Sequence, residues 1–174
     1  HNIDQNNVDD KLAIADKGIR GDVRVHKFDH DRNTTDPKDD SKLPQGDATL
    51  EGAKLEVINK SPHHVFYNGK EYAPNDVIDV LTTDAKGDAG AKNLPYGTYM
   101  IREKSAPTGY LVNSAWTTTF SIRENGKVVE ANSETTAPLN EKVIRGFVKV
   151  QKVDKERTTN RNENQGDATL AGAV

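Results

Sequence analysis

The chain has 174 residues, a formal charge of −3, 33% apolar and 29% charged residues, and no cysteine. Its charge is dispersed with no basic face, which argues against nucleic acid as a partner, and the missing thiols exclude disulfides, thiolate metal sites and cysteine catalysis. No apolar run approaches the roughly 20 residues of a membrane span, so insertion into a bilayer is not expected.

Residues 1–19 read as the tail of a preceding repeat or a linker, because Ala15 to Ile19 occupies the place that Asn140 to Ile144 occupies before the next copy of a recurring motif. That motif, Ile19-Arg20-Gly21-Asp22-Val23-Arg24-Val25-His26-Lys27, returns as Ile144-Arg145-Gly146-Phe147-Val148-Lys149-Val150-Gln151-Lys152. Gln45-Gly46-Asp47-Ala48-Thr49-Leu50 likewise returns as Gln165-Gly166-Asp167-Ala168-Thr169-Leu170, after a shorter polar loop of the kind that absorbs deletions. One full unit therefore spans 20–144, and 145–174 reads as the first strand and loop of the next repeat, truncated, with the start at His1 also suggesting a processed or excised chain.

Within the full unit, alternation predicts strands. Val23, Val25 and Lys27 share one face, followed by Ala53, Leu55 and Val57, then Tyr99, Ile101 and Glu103, then Trp116, Thr118, Phe120 and Ile122. Thr83 to Gly87 and Leu94-Pro95-Tyr96-Gly97 read as turns, and Asn125-Gly126 predicts a tight hairpin into Val128-Val129. With no helical period anywhere, the expected fold is all-β, a two-sheet Ig-like sandwich.

The alternation also puts two charged residues, Lys27 and Glu103, on inward faces. An isolated buried charge costs several kcal/mol, so each needs a partner, a route to water at a strand end, or neutralisation.

Gly97-Thr98-Tyr99-Met100-Ile101-Arg102-Glu103-Lys104-Ser105-Ala106-Pro107-Thr108-Gly109-Tyr110 resembles the YxLxExxAPxGY signature of Cna-B-type domains, the collagen-adhesin B-repeat or SpaA-like pilin domains of Gram-positive surface proteins. Val23 to Lys27, Gly52 to Val57, Thr83-Asp84 with Gly87, and Leu94 to Gly97 match in the expected order. The resemblance implies a prealbumin-like sandwich and a spontaneous isopeptide bond from Lys27 to Asn140, promoted by Glu103, with Asn132 as the alternative acceptor. In such chemistry burial favours the neutral, nucleophilic amine and the protonated acid, and the acid polarises the amide carbonyl and moves protons as ammonia leaves. It further implies a structural stalk module on the extracellular cell-wall surface, with neighbouring repeats as partners, no cofactor and no turnover enzymology.

An adhesin domain that recognises host extracellular matrix is the alternative, with Tyr67, Tyr72 and Tyr96 as its candidate aromatic surface. Three weaker motifs have ordinary readings. Arg20-Gly21-Asp22 sits at the inter-repeat junction, Asp29, Asp31 and Asn33 open a polar loop that lacks the glycine and glutamate of a calcium loop, and His63-His64 lacks further metal-ligand spacing.

Overall fold

The computed structural model describes residues 17–31, 44–133, 135–153, 155, 169 and 171–172. The chain divides into two units, 1–144 and 145–174. The described residues of the first unit form strands and turns with no helix: β1 (Arg20–Asp29), β2 (Lys54–Asn59), β3 (Val65–Tyr67), β4 (Lys70–Tyr72), β5 (Val77–Thr82), β6 (Asp88–Pro95), β7 (Gly97–Ser105), β8 (Tyr110–Leu111), β9 (Thr117–Ile122), β10 (Val128–Glu130) and β11 (Leu139–Val143).

Two sheets face one another, as the alternation predicts. In the first, β6 runs antiparallel along one edge of β1, β10 and then β11 run parallel along its other edge, and β8 closes against β11. The second is antiparallel, in the order β5-β2-β7-β9, and β3 and β4 form a separate hairpin. Val23 and Val25 of β1, Leu55 and Val57 of β2, Tyr99 and Ile101 of β7, Phe120 and Ile122 of β9, and Leu139 of β11 meet in one apolar core. Along the core these strands bury every second residue because the other face is turned to water, while β1 and β2 each end in three consecutive buried residues, Lys27 to Asp29 and Val57 to Asn59.

The Asn125-Gly126 turn forms, with Gly126 at φ 75°, but it does not make the expected hairpin. Instead the chain crosses from one sheet to the other: β9 pairs with β7, whereas β10 pairs in parallel with β1. Gly126 N–H donates to Arg20 O (2.7 Å) and Arg20 N–H to Asn125 Oδ1 (3.2 Å), so the turn docks on the start of β1 rather than folding β10 back onto β9.

Between β10 and β11 the ladder along β1 is interrupted, and the Asn132 side chain fills the gap. Its Oδ1 accepts from His26 N–H (2.9 Å) and its Nδ2 donates to His26 O (2.8 Å), reproducing with a side-chain amide the pairing a backbone residue would make.

In the second unit the described residues form no strand, and Phe147, Val148 and Val150 are 94%, 88% and 86% exposed. The same Val-x-Val-x-Lys pattern makes a strand in the first unit because β6, β10 and β11 supply ladders to β1. No equivalent of these occurs among the described residues of the second unit. The recurrence of the Gln45 to Leu50 motif at 165–168 and 170, Ala15 in the N-terminal tail, and Asn33 lie outside the described residues.

Candidate functional site

At the far end of β1 the three inward faces of β1, β7 and β11 converge on charged residues. Lys27 follows Val23 and Val25, Glu103 follows Tyr99 and Ile101, and Glu141 follows Leu139, each one step beyond the apolar core. The side chains of all three are completely buried. Lys27 Nζ donates to Glu103 Oε1 across the gap between the sheets, and it lies 2.7 Å from Glu141 Oε1 on the neighbouring strand of its own sheet. The lysine thus ties β1 both to the opposite sheet and to the last strand.

Lys27 and Glu103 are each held from their own side. Gly87 O accepts from Lys27 N–H (2.9 Å), and Gly87 lies at φ 84°, where a Cβ would come within 2.9 Å of Lys27 O, so only glycine lets the 83–87 turn pack this close. Glu103 Oε2 accepts from Asn113 N–H (2.6 Å), which fixes the carboxylate after β8. Glu141 differs, because neither of its oxygens has an aligned hydrogen-bond partner, although Oε1 is at ion-pair distance from the amine. Burial pushes its carboxyl up to about 7 from an ordinary 4.5; the Lys27 charge opposes that rise and the Glu103 charge adds to it. Two carboxylates facing one ammonium in a dry site leave an excess negative charge, and a proton on Glu141 relieves it.

A second buried network braces the site. Asp29, two residues beyond Lys27, accepts from Tyr110 Oη (2.7 Å), Gln45 Nε2 (2.7 Å) and Asp31 N–H (2.9 Å). Burial and the adjacent Asp29 carboxylate raise the Tyr110 phenol well above its usual range, so it remains a donor. Gly109, at φ 88°, brings the chain so close to Ala48 that a Cβ would lie 2.6 Å from the alanine methyl. The recurring Gln-Gly-Asp-Ala-Thr-Leu motif therefore has a structural purpose: Gln45 binds Asp29, Ala48 leaves room for Gly109, and Leu50 is fully buried.

Of the sequence-derived residues, the fold brings Lys27 and Glu103 together. Asn140 pairs with Phe28 in the parallel ladder and is half-buried between Leu139 and Glu141, so its side chain takes the opposite face of β11 from Glu141. Asn132 is buried, with its amide engaged at His26. Glu141 escaped sequence reasoning; its one signal was its place beside Asn140.

The weaker motifs also find positions. Arg20 donates to Asn93 O and Phe66 O, Asp22 Oδ1 accepts from Asn93 N–H, and a Cβ on Gly21 would meet Lys127 O at 2.8 Å, so this tripeptide is built into β1. His63 and His64 are exposed on a loop. Tyr67 is 3% exposed and donates to Asp79 Oδ2 (2.7 Å), and Tyr72 packs against the core, which leaves Tyr96 as the exposed member of the three tyrosines.

The fold and this buried cluster define an all-β, prealbumin-like sandwich whose first and last strands are coupled through a core lysine. The family model "SpaA: Prealbumin-like fold domain" matches residues 38–137, more than half of the chain, and the chain belongs to this family. It is 31% identical over 93 residues to the trypsin-resistant surface T6 protein of Streptococcus pyogenes serotype M6, covering 51% of this chain and 17% of that protein. Among solved structures, the Bacillus anthracis TIE protein is 27% identical with a TM-score of 0.47, covering 72% of this chain and 18% of that one. The minor pilin GBS52 of Streptococcus agalactiae is 22% identical with a TM-score of 0.44, covering 76% and 48%.

Proposed function

We propose that the chain is a structural stalk module of a cell-wall-anchored surface protein or pilus, displayed outside the cell, with self-cross-linking as its only chemistry. The observation that carries this reading is the placement of Lys27 between Glu103 on β7 and the last strand. Family membership and the surface-protein and pilin names of relatives support it. In this reading neighbouring repeats are the partners, and residues 145–174 begin the next one.

The mechanical logic follows from strand direction. β1 and β11 lie side by side and parallel, Lys27 level with Leu139 and Asp29 with Glu141. Tension entering before β1 and leaving after β11 pulls the two strands past one another, loading their cross-connections together instead of one at a time. A covalent bond from Lys27 to the last strand carries that load while the core stays shut, and by analogy with a disulfide closing about 100 residues it adds roughly 4–5 kcal/mol of stability.

The family pattern implies that the bond runs from Lys27 Nζ to the Asn140 amide, with Glu103 as the proton-transfer group and ammonia as leaving group. A one-residue slip of the short β11 strand exchanges the faces of Asn140 and Glu141 and delivers Asn140 to the amine. Mass measurement on the denatured chain tests the cross-link: the protein is expected to be lighter than its sequence by one small molecule, and Lys27→Arg is expected to restore the full mass. A full-mass wild-type chain, or a deficit that survives Lys27→Arg, would overturn it.

A further inference from the structure

Glu141 is fully buried, lies 2.7 Å from the Lys27 amine, and lacks an aligned hydrogen-bond partner on either oxygen. A carboxylate with only structural duties would be satisfied from several sides, as Asp29 is by Tyr110, Gln45 and Asp31. Glu103, the other carboxylate at the amine, has its second oxygen committed to the Asn113 amide. Glu141 therefore has an acyl carbon beside the nucleophile, and Glu103 is fixed as the group that handles protons.

We infer that Glu141 is the acyl partner of Lys27, so that the intramolecular bond is a Lys27–Glu141 amide formed with loss of water. This rests on the cross-linked reading above and changes its acceptor and its leaving group. It needs no slip of β11.

The step balances within the three side chains. A proton passes from the Lys27 ammonium to the Glu141 carboxylate, giving a neutral amine and a carboxylic acid. Nζ attacks Cδ of Glu141, the Glu103 carboxylate takes a proton from the attacking nitrogen, and it returns that proton to the departing hydroxyl as the C–O bond breaks. The products are a secondary amide, one water and Glu103 in its starting form, so no co-reactant is consumed. Condensation of an amine with an acid is disfavoured in water because both ionise, but here burial opposes ionisation of the Glu141 carboxyl. Fixed juxtaposition is equivalent to an effective concentration of about 10⁵–10⁸ M. The adjoining Val25, Ile101 and Leu139, all essentially inaccessible, keep out the water needed for the reverse reaction.

Isotopically resolved mass of the denatured full chain, with mapping of branched peptides, distinguishes the outcomes. The expected wild-type deficit is one water, with residues 27 and 141 joined. Asn140→Ala is expected to retain it. Glu141→Gln, close to isosteric and therefore compatible with folding, is expected to release ammonia instead and reach a product identical in mass to the cross-linked wild type. Glu141→Ala is expected to keep its full mass. A wild-type deficit of one ammonia that Asn140→Ala abolishes would overturn the Glu141 assignment while the cross-linked reading stands, as would a branched peptide joining Lys27 to Glu103. A full-mass wild type would overturn both.

Discussion

At the residue scale the proposed chemistry turns on Glu141, whose protonation state would decide whether its acyl carbon can be attacked. Groups facing it are Lys27 from β1 and Glu103 from β7, with Tyr110 of β8 nearby, itself bonded to Asp29. Its carboxyl is raised to about 7, so while the bond is open Glu141 holds its proton more tightly in the folded chain than in the unfolded one. That contribution to stability is complete below about 4.5 and is lost as pH rises through about 7. The reactive arrangement needs the neutral Lys27 amine as well as the Glu141 acid, and a Glu141 that has taken its proton from solvent leaves the amine with its own, so chain refolded from denaturant should cross-link more slowly at about pH 5 than at about pH 7. Time-resolved mass spectra of the refolding chain check this; a rate that rises as pH falls from about 7 to about 5 would contradict it. Tyr110→Phe removes a donor to the buried Asp29 carboxylate and should cost about 1–3 kcal/mol, read as a lower urea midpoint at unchanged m-value. Lys27 and Glu103 could be read from the sequence because each ends an unbroken alternation that starts in the core. Glu141 could not, since β11 is only five residues long and follows Pro138 and Ala137, the latter at φ 46°, so no upstream alternation fixes which of its residues point inward.

The discontinuous edge of β1 is the weak point at the scale of elements. β10 covers Asp22 to Arg24 and β11 covers Lys27 to Asp29, and the Asn132 side chain bridges the interval at His26. The excursion between them is pinned by Trp116 Nε1, which donates to Ala137 O (2.9 Å), and by Thr118 Oγ1, which donates to Ala131 O (2.6 Å). Asn132→Ala should cost about 1–3 kcal/mol by orphaning both His26 backbone groups, with Asn132→Asp also deficient because a carboxylate cannot donate to His26 O. Hydrogen exchange at the His26 amide should rise in both variants; an unchanged rate would show that the bridge is dispensable. Strand existence was legible here and strand pairing was not. Asn125-Gly126 encodes a tight reversal, but which sheet receives the next strand depends on the docking of that turn on Arg20, a contact more than 100 positions away in sequence. The Gln45 to Leu50 motif was visible as a recurrence, while its purpose emerged only once Gly109 and Asp29 were brought against it.

At the scale of the whole molecule, one lysine joins the two sheets and the two terminal strands of the sandwich, which suits a module that transmits tension along a chain of repeats. With no cysteine in the chain, the proposed bond at this buried cluster would supply the covalent lock that a disulfide supplies in other secreted domains. Single-molecule extension, with the chain pulled from handles attached before β1 and after β11, tests this most directly. With the bond closed, the roughly 110 residues between Lys27 and the last strand stay sequestered, so the roughly 400 Å they would release when extended should be missing from the force trace, and Lys27→Arg should restore it. Release of the full length from the wild-type chain at forces that leave covalent bonds intact would contradict the account.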